Sequence, residues 1–370
     1  MFKKIILLLI LSLIFSSCRK SDLRQQTYTN FAQSTAYRLP TWDFTARAYP
    51  TDTGAVLVIE IAFLGEVLPP YLTIKINDRP PVQRQINAFY TCLYEEISDQ
   101  NSDYQLAVQV EEEVIQHPVF LLPAIVPPLP SLHLQGKNWQ GLSEKHLASF
   151  LAKVFVPALP PMEPRAATDQ DSVLVANRRL AVTPQSTVNE TEGFYFLQRN
   201  DDSPGMGTRV VAPDFLKPQK IETLVEPLLY ISTQAEMQRI LIAPDKRAAF
   251  DAFWLKQAQG NLERAKKMVR TFYRRVAYAN AFFADYKEGW KTDRGMIYIV
   301  FGEPEERVPS EAGEEWFYVR QEQGIKYRQR FFFTRVPNTL TAYHYALVRS
   351  RSLKSNWYRA VAAWRSPEGW

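Results

Sequence analysis

The sequence predicts a multi-domain chain. An N-terminal antiparallel β-sandwich is followed by a β-rich middle region and a C-terminal α+β domain, with long helices packed on a small antiparallel sheet. Three observations predict this. Short runs with period-2 alternation recur between residues 42 and 122, separated by turn residues. Proline-rich stretches interrupt the chain at 123–130 and 157–164. From Thr233 the apolar spacing switches to the 3.6-residue period of a helix.

The chain opens on Lys3 and Lys4, an apolar run over 5–15 broken only by Ser12, and then Ser16, Ser17 and Cys18. A positive start, a short apolar stretch and small residues at a cut site predict a signal peptide over 1–17. The run falls short of the roughly 20 residues that span a bilayer. Phe15-Ser16-Ser17-Cys18 resembles a bacterial lipobox, with Phe where leucine is usual. The resemblance implies lipidation of Cys18 and attachment to the membrane through that lipid. Residues 18–37 are polar and read as a tether. Arg19 follows the cysteine in place of an aspartate retention signal, so the bacterial outer membrane is expected. Lys20-Ser21-Asp22 is not a strongly acidic export tract, which favours the periplasmic face over the cell surface.

Composition is that of a packed protein: 46% hydrophobic, 13% aromatic and 22% charged residues. Loss of Lys3 and Lys4 with the leader lowers the formal charge of +5 by two, to +3, too small an excess to argue for nucleic acid. Of the two cysteines, Cys18 is claimed by lipid, which leaves Cys92 alone among Phe89, Tyr90 and Leu93 as a small core residue. His117, His133, His146 and His344 show no metal-ligand spacing, and no nucleotide- or hydrolase-type motif is present, so neither metal nor cofactor is expected.

Strands of the first domain (38–123) are expected at 42–49, 55–63, 71–76, 87–96, 104–110 and 114–122. Pro69, Pro70, Pro80 and Pro81 fall between them. Residues 123–130 read as a linker. In the second β-rich domain (131–227), Leu147, Phe150, Leu151, Val154 and Phe155 have helical spacing, with Ser143 as a candidate N-cap. The same stretch also reads as a strand and a bend. Either form should end near Val156, because Pro157 follows. Further strands are expected at 173–176, 194–197 and 209–212.

The last domain (228–370) begins with helical segments after Thr233 and Asp245. Beyond Gly260-Asn261 a long helix over 262–286 is predicted. Ala265, Val269, Phe272, Val276 and Ala279 lie on its apolar stripe, and Glu263, Lys267, Arg270 and Arg274 on its solvent face. It runs into Gly289-Trp290-Lys291-Thr292-Asp293-Arg294-Gly295. The residue chemistry predicts a left-handed helix stop at Gly289, a core anchor at Trp290 and backbone bonds from Thr292 and Asp293. It further predicts a carboxylate partner for Arg294, a swing at Gly295 into a strand over 296–301, and an end to that strand at Gly302 and Pro304.

This stretch resembles the GWxTD-domain family of bacterial lipoproteins and exported proteins. Gly289, Trp290, Thr292 and Asp293 fill its naming motif. Residues 275–280 before it, and Phe301-Gly302-Glu303-Pro304 after it, also look like the family. The resemblance runs from about residue 224 onward and implies an architecture, not a catalytic mechanism.

Strands at 314–319, 327–334 and 342–348 complete the domain, and residues 355–364 read as a terminal helix with Trp357 and Trp364 inward. The sharper alternative makes Trp357, Trp364 and Trp370 a binding surface for a partner or glycan. Asp293, Arg294, Glu303, Glu305 and Glu306 are close in sequence, with His344 a candidate neighbour. With 296–301 as a strand, Asp293 and Glu303 stand about 20 Å apart, too far for paired catalytic carboxylates. The expectation is a non-enzymatic envelope protein that acts by binding, as a scaffold or assembly factor with protein partners. Glycan binding is the alternative, and a hydrolase using carboxylates near Asp293 the weaker one.

Overall fold

The computed structural model describes residues 41–366, apart from 52, 66, 99–102, 121–131, 135, 140, 141, 143, 152–154, 164–175, 201–204, 217, 323, 324, 337–340, 342 and 343. The leader, Cys18, the tether and Trp370 lie outside the described residues, as do most of the expected strand at 173–176 and Ser143.

Two antiparallel sheets form the N-terminal sandwich. One has the order β1 (Trp42–Thr51), β2 (Gly54–Phe63), β5 (Tyr90–Ile97). The other has the order β4 (Val82–Gln85), β3 (Tyr71–Ile76), β6 (Asp103–Val110), β7 (Glu113–Phe120). Alternation is cleanest in β6, where Tyr104, Leu106, Val108 and Val110 point inward. They meet Phe44, Leu57, Ile59 and Ile61 of the facing sheet in one core. Strand β4 escapes sequence reading because Val82-Gln83-Arg84-Gln85 is polar and mostly exposed. Cys92 is a free thiol, partly buried beside Val58 and Tyr94, and burial pushes its pKa up.

The middle region is a five-stranded sheet of order β10 (Arg178–Val182), β9 (His146–Leu151), β11 (Gly193–Gln198), β12 (Gly205–Val211), β8 (Leu132–Leu134). Among the described residues, only the β12–β8 pair of this sheet is parallel. The ambiguous stretch near Leu147 is therefore a strand, not a helix. β10 and β11 pair along its two edges, and its side chains split between two clusters, Ala148 and Phe150 in one and Leu151 in the other, which local spacing does not reveal.

The C-terminal unit holds α1 (Ile221–Val225), α2 (Gln234–Ile242), α3 (Lys246–Gln257), α4 (Leu262–Phe282), α5 (Asp293–Phe301) and α6 (Lys354–Trp364). They pack on an antiparallel sheet of order β13 (Glu306–Ser310), β14 (Gly313–Glu322), β15 (Ile325–Arg335), β16 (Tyr345–Leu347). Thr233 closes a capping box at α2 with Glu236, Asp245 caps α3 through the Ala248 N–H, and Asn261 caps α4 through the Arg264 N–H. In α4 the first half buries one stripe, whereas every residue from Arg275 to Phe282 is buried. That half reaches the sandwich through the Tyr278 hydroxyl, which donates to Asp43, and the segment after β12 through Asn280, which donates to the Phe215 carbonyl.

Residues 296–301 are the main correction: they form most of helix α5, not a strand. An apolar run of this length does not distinguish a central strand from a helix buried on all sides. Here Met296 to Phe301 are all buried, and Thr292 starts the helix by accepting from the Gly295 N–H. Gly302 ends this element as expected, though as a helix, at a positive φ of 89° that favours glycine; the long helix α4 ends at Phe282, and Gly289 does not take the left-handed stop expected of it. The core of this unit also takes in Ala62 and Tyr90 from the sandwich and Val211 from the middle sheet. Among the described residues, no helix is long and apolar enough to cross a membrane.

Candidate functional site

The motif is a connector built by close backbone approach. Gly289 opens a 3-10 turn, Gly289–Lys291, that lies directly against α4. A Cβ on Gly289 would fall 1.8 Å from the Ala279 carbonyl oxygen, so glycine is required by space rather than by φ. Gly295 is constrained the same way, since its Cβ would fall 1.9 Å from the Gly289 carbonyl oxygen. The two glycines let the turn nest between α4 and α5.

The backbone of Trp290 and the side chains of Thr292 and Asp293 are bonded within the protein. The Trp290 N–H donates to Asn280 Oδ1 at 3.1 Å, and its carbonyl accepts from the Tyr230 hydroxyl at 3.0 Å. The Trp290 indole is 6% exposed, edge-on to Tyr230. Thr292 Oγ1 donates to the Gly289 carbonyl at 2.7 Å while accepting from Gly295 N–H at 3.0 Å. Asp293 accepts from the Leu347 N–H at 2.8 Å and pairs with Arg349. Arg349 in turn donates to the carbonyls of Leu159 and Pro160. The Ala158 N–H donates to the Lys291 carbonyl at 2.8 Å. The proline-rich segment is thus stitched along the motif.

Arg294 finds its expected carboxylate in Glu314 at 3.4 Å, and its guanidinium lies 4.0 Å from the Tyr345 ring centroid. The other acidic residues do not converge on Asp293. Glu303 and Glu305 lie beyond the far end of α5, about 15 Å of helix rise away. Burial raises the Glu303 pKa. Glu305 accepts from the Val319 N–H, and Glu306 pairs with Arg328 in solvent. His344 contacts Asp285 at 2.6 Å in a buried pair, apart from those carboxylates. Among the described residues, no three His, Cys, Asp or Glu side chains are grouped to hold a metal.

Trp357 and Trp364 are only 3% and 2% exposed, and the Trp364 indole donates to the Val300 carbonyl. They are core residues of α6, which corrects the binding-surface alternative for these two.

A cavity of about 470 Å³ opens beside the motif. Its walls come from β11 and β12 (Phe194, Arg209), α4 (Val276, Asn280), the segment before α1 (Asp214, Phe215) and the motif with its preceding residue (Glu288, Trp290, Lys291). Glu288 is the electrostatic centre. Burial alone would raise its pKa, but Arg209 at 3.0 Å and Lys291 at 2.9 Å hold it down at about 2. Arg209 also donates to the Tyr286 carbonyl, tying the middle sheet to the turn. Sequence reading missed Arg209, Glu288 and Asn280. Polar residues inside an otherwise apolar helix, as at Arg275 and Asn280, were the one available signal.

Comparison with known proteins adds the following. Tandem immunoglobulin domains A164-A165 of titin match with 10% identity over 46% of this chain and 96% of that chain, at a TM-score of 0.16. A chimeric titin Z1Z2 tandem matches with 12% identity over 46% and 98%, at a TM-score of 0.15. At such scores no argument follows from the likeness. The search of curated proteins finds no match. Residues 193–366 match the GWxTD domain model, a span that begins at β11 and ends just after α6. The strands that wall the cavity, the connector motif and the terminal helix therefore belong to one recognised unit: the chain carries a GWxTD domain.

Proposed function

We propose that this chain is a lipid-anchored protein of the bacterial outer membrane, on its periplasmic face, and that it acts by binding as a scaffold or assembly factor. The cavity beside the motif is its binding site. One observation carries this reading: the Trp290 backbone and the Thr292 and Asp293 side chains are spent on internal bonds, yet the motif frames a cavity of about 470 Å³. That volume lies within the roughly 300–1,000 Å³ of ligand pockets. Chemistry by Asp293 is disfavoured because its carboxylate is committed to Arg349 and the Leu347 N–H.

The test fills the cavity. Thr223→Trp and Ala212→Trp place bulk in its wall. Full-length wild-type protein, cross-linked in intact envelopes, is expected to capture a discrete set of envelope proteins that both variants lose while melting normally. Identical capture by both folded variants would overturn the reading. Protease shaving of the protein on intact cells would overturn the periplasmic assignment.

A glycan occupant is the second reading. Phe215, partly buried, shares the cavity wall with Glu192, Asp214 and Glu226, a pairing of an aromatic ring and carboxylates suited to a sugar ring. Binding of purified envelope glycans, lost in the same two variants, distinguishes it from a protein partner.

A further inference from the structure

A second, smaller cavity of about 130 Å³ lies where the sandwich meets the GWxTD domain. Its lining contains Arg47, Arg294, Arg307 and Arg335, against the single carboxylate of Glu314. Three of these arginines are fixed in place. Arg47 pairs with Glu60 at 2.5 Å, Arg294 with Glu314 at 3.4 Å, and Arg307 reaches Asp43 at 3.7 Å and donates to the Tyr278 hydroxyl at 2.9 Å. Their side chains are 9%, 13% and 17% exposed. Arg307 is further held among aromatic rings, 5.1 Å from the Trp316 centroid and 5.4 Å from that of Tyr278.

Arg335, at the end of β15, is the fourth. Its side chain has no acidic partner among the described residues. Asp43, Glu60 and Glu303 stand behind the wall; in the lining itself four guanidinium groups face the one carboxylate of Glu314, so the surface of the cavity carries a positive surplus. Arginine does not lose its proton to relieve such a surplus. A mostly buried, low-dielectric setting strengthens the attraction of that surplus for an anion.

We infer that this cavity is a binding site for one small oxyanion of the phosphate class, bridging the sandwich and the GWxTD domain. The guanidinium fork matches tetrahedral oxyanions through paired N–H donors. The volume is well below the roughly 300 Å³ lower bound for ordinary ligand pockets, so a single head group fits and a larger molecule does not. Arg47 belongs to β1 of the sandwich, whereas Arg294, Arg307 and Arg335 belong to the C-terminal unit. A bound anion therefore fastens the two modules across their junction. This inference does not depend on the cavity beside the motif. The anion can be free phosphate or the head group of a phosphorylated lipid.

The test is calorimetric titration of the full chain with inorganic phosphate at constant ionic strength, with sodium chloride as the control. A parallel arm measures co-sedimentation with phosphatidylcholine vesicles that carry or lack phosphatidic acid. Saturable phosphate binding is expected, weakened at least tenfold in Arg335→Gln and partly retained in Arg335→Lys, with neither variant melting below wild type. Phosphate binding without vesicle binding identifies a free ion. Vesicle binding that requires phosphatidic acid and is lost in Arg335→Gln identifies a head group. A phosphate response no larger than that of chloride, together with no Arg335-dependent vesicle binding, overturns the inference. So does undiminished binding by folded Arg335→Gln in both arms.

Discussion

Asp293 and Arg349 form an ion pair whose side chains are only 9% and 11% exposed. Asp293 begins α5, and Arg349 follows β16 and also holds the Leu159 and Pro160 carbonyls. One contact therefore joins the motif, the sheet and the proline-rich segment that enters from the middle region. Removing one partner of a mostly buried pair leaves the other uncompensated, at a typical cost of about 3 kcal/mol or more. Asp293→Asn should show a loss of about that size in denaturant unfolding. The Asp293→Asn, Arg349→Met double variant should recover part of it. A fully stable Asp293→Asn protein would refute the structural role.

Trp290 fills the space between α4 and the Tyr230 turn. Trp290→Ala should cost about 3–5 kcal/mol, the range for truncating a buried aromatic. Unchanged melting combined with lost ligand binding would instead mark the indole as a functional surface.

Space rather than backbone angle constrains Gly289. Gly289→Ala drives a methyl into the α4 backbone, where no side chain can move aside, and should cost about 3 kcal/mol or more. Gly260→Ala is the matched control: at φ +79° it meets nothing within 4 Å and should cost only about 1–2 kcal/mol of backbone strain. Reversal of that order in thermal unfolding would overturn the close-packed connector.

Acid sensitivity should centre on Glu288. Its folded pKa of about 2 lies below the ordinary 4.5, so its contribution is complete above pH 4.5 and is lost as pH falls toward 2. Glu236, held at about 2 mainly by Arg365 and Thr233 against the effect of burial, adds to the same window. The unfolding free energy should drop by about 2–3 kcal/mol per group across that range. Glu288→Gln should flatten the profile. An unchanged slope in that variant would show that the carboxylate is not coupled to Arg209 and Lys291.

The anchor is tested at Cys18. Cys18→Ser should accumulate as an unprocessed or soluble species, followed by metabolic lipid labelling and membrane fractionation. A processed, lipid-labelled, membrane-bound variant would exclude the lipobox reading.

By itself the sequence determined the order of modules, most strands of the sandwich, the capped starts of α2, α3 and α4, and the GWxTD motif. These are local signals: alternation, side-chain caps and residue spacing act within a few residues of chain. Helix α5, the strand near Leu147, the role of Gly289 and both cavities were decided only by tertiary structure. The run 296–301 is apolar on every side, and the choice between strand and helix fell to neighbours supplied by α4, β14 and α6. Glu288 meets Arg209 from a strand far away in sequence, and Arg47 meets Arg307 across two modules. Such groups acquire their chemistry from partners distant along the chain, and a linear sequence carries no measure of that distance in space.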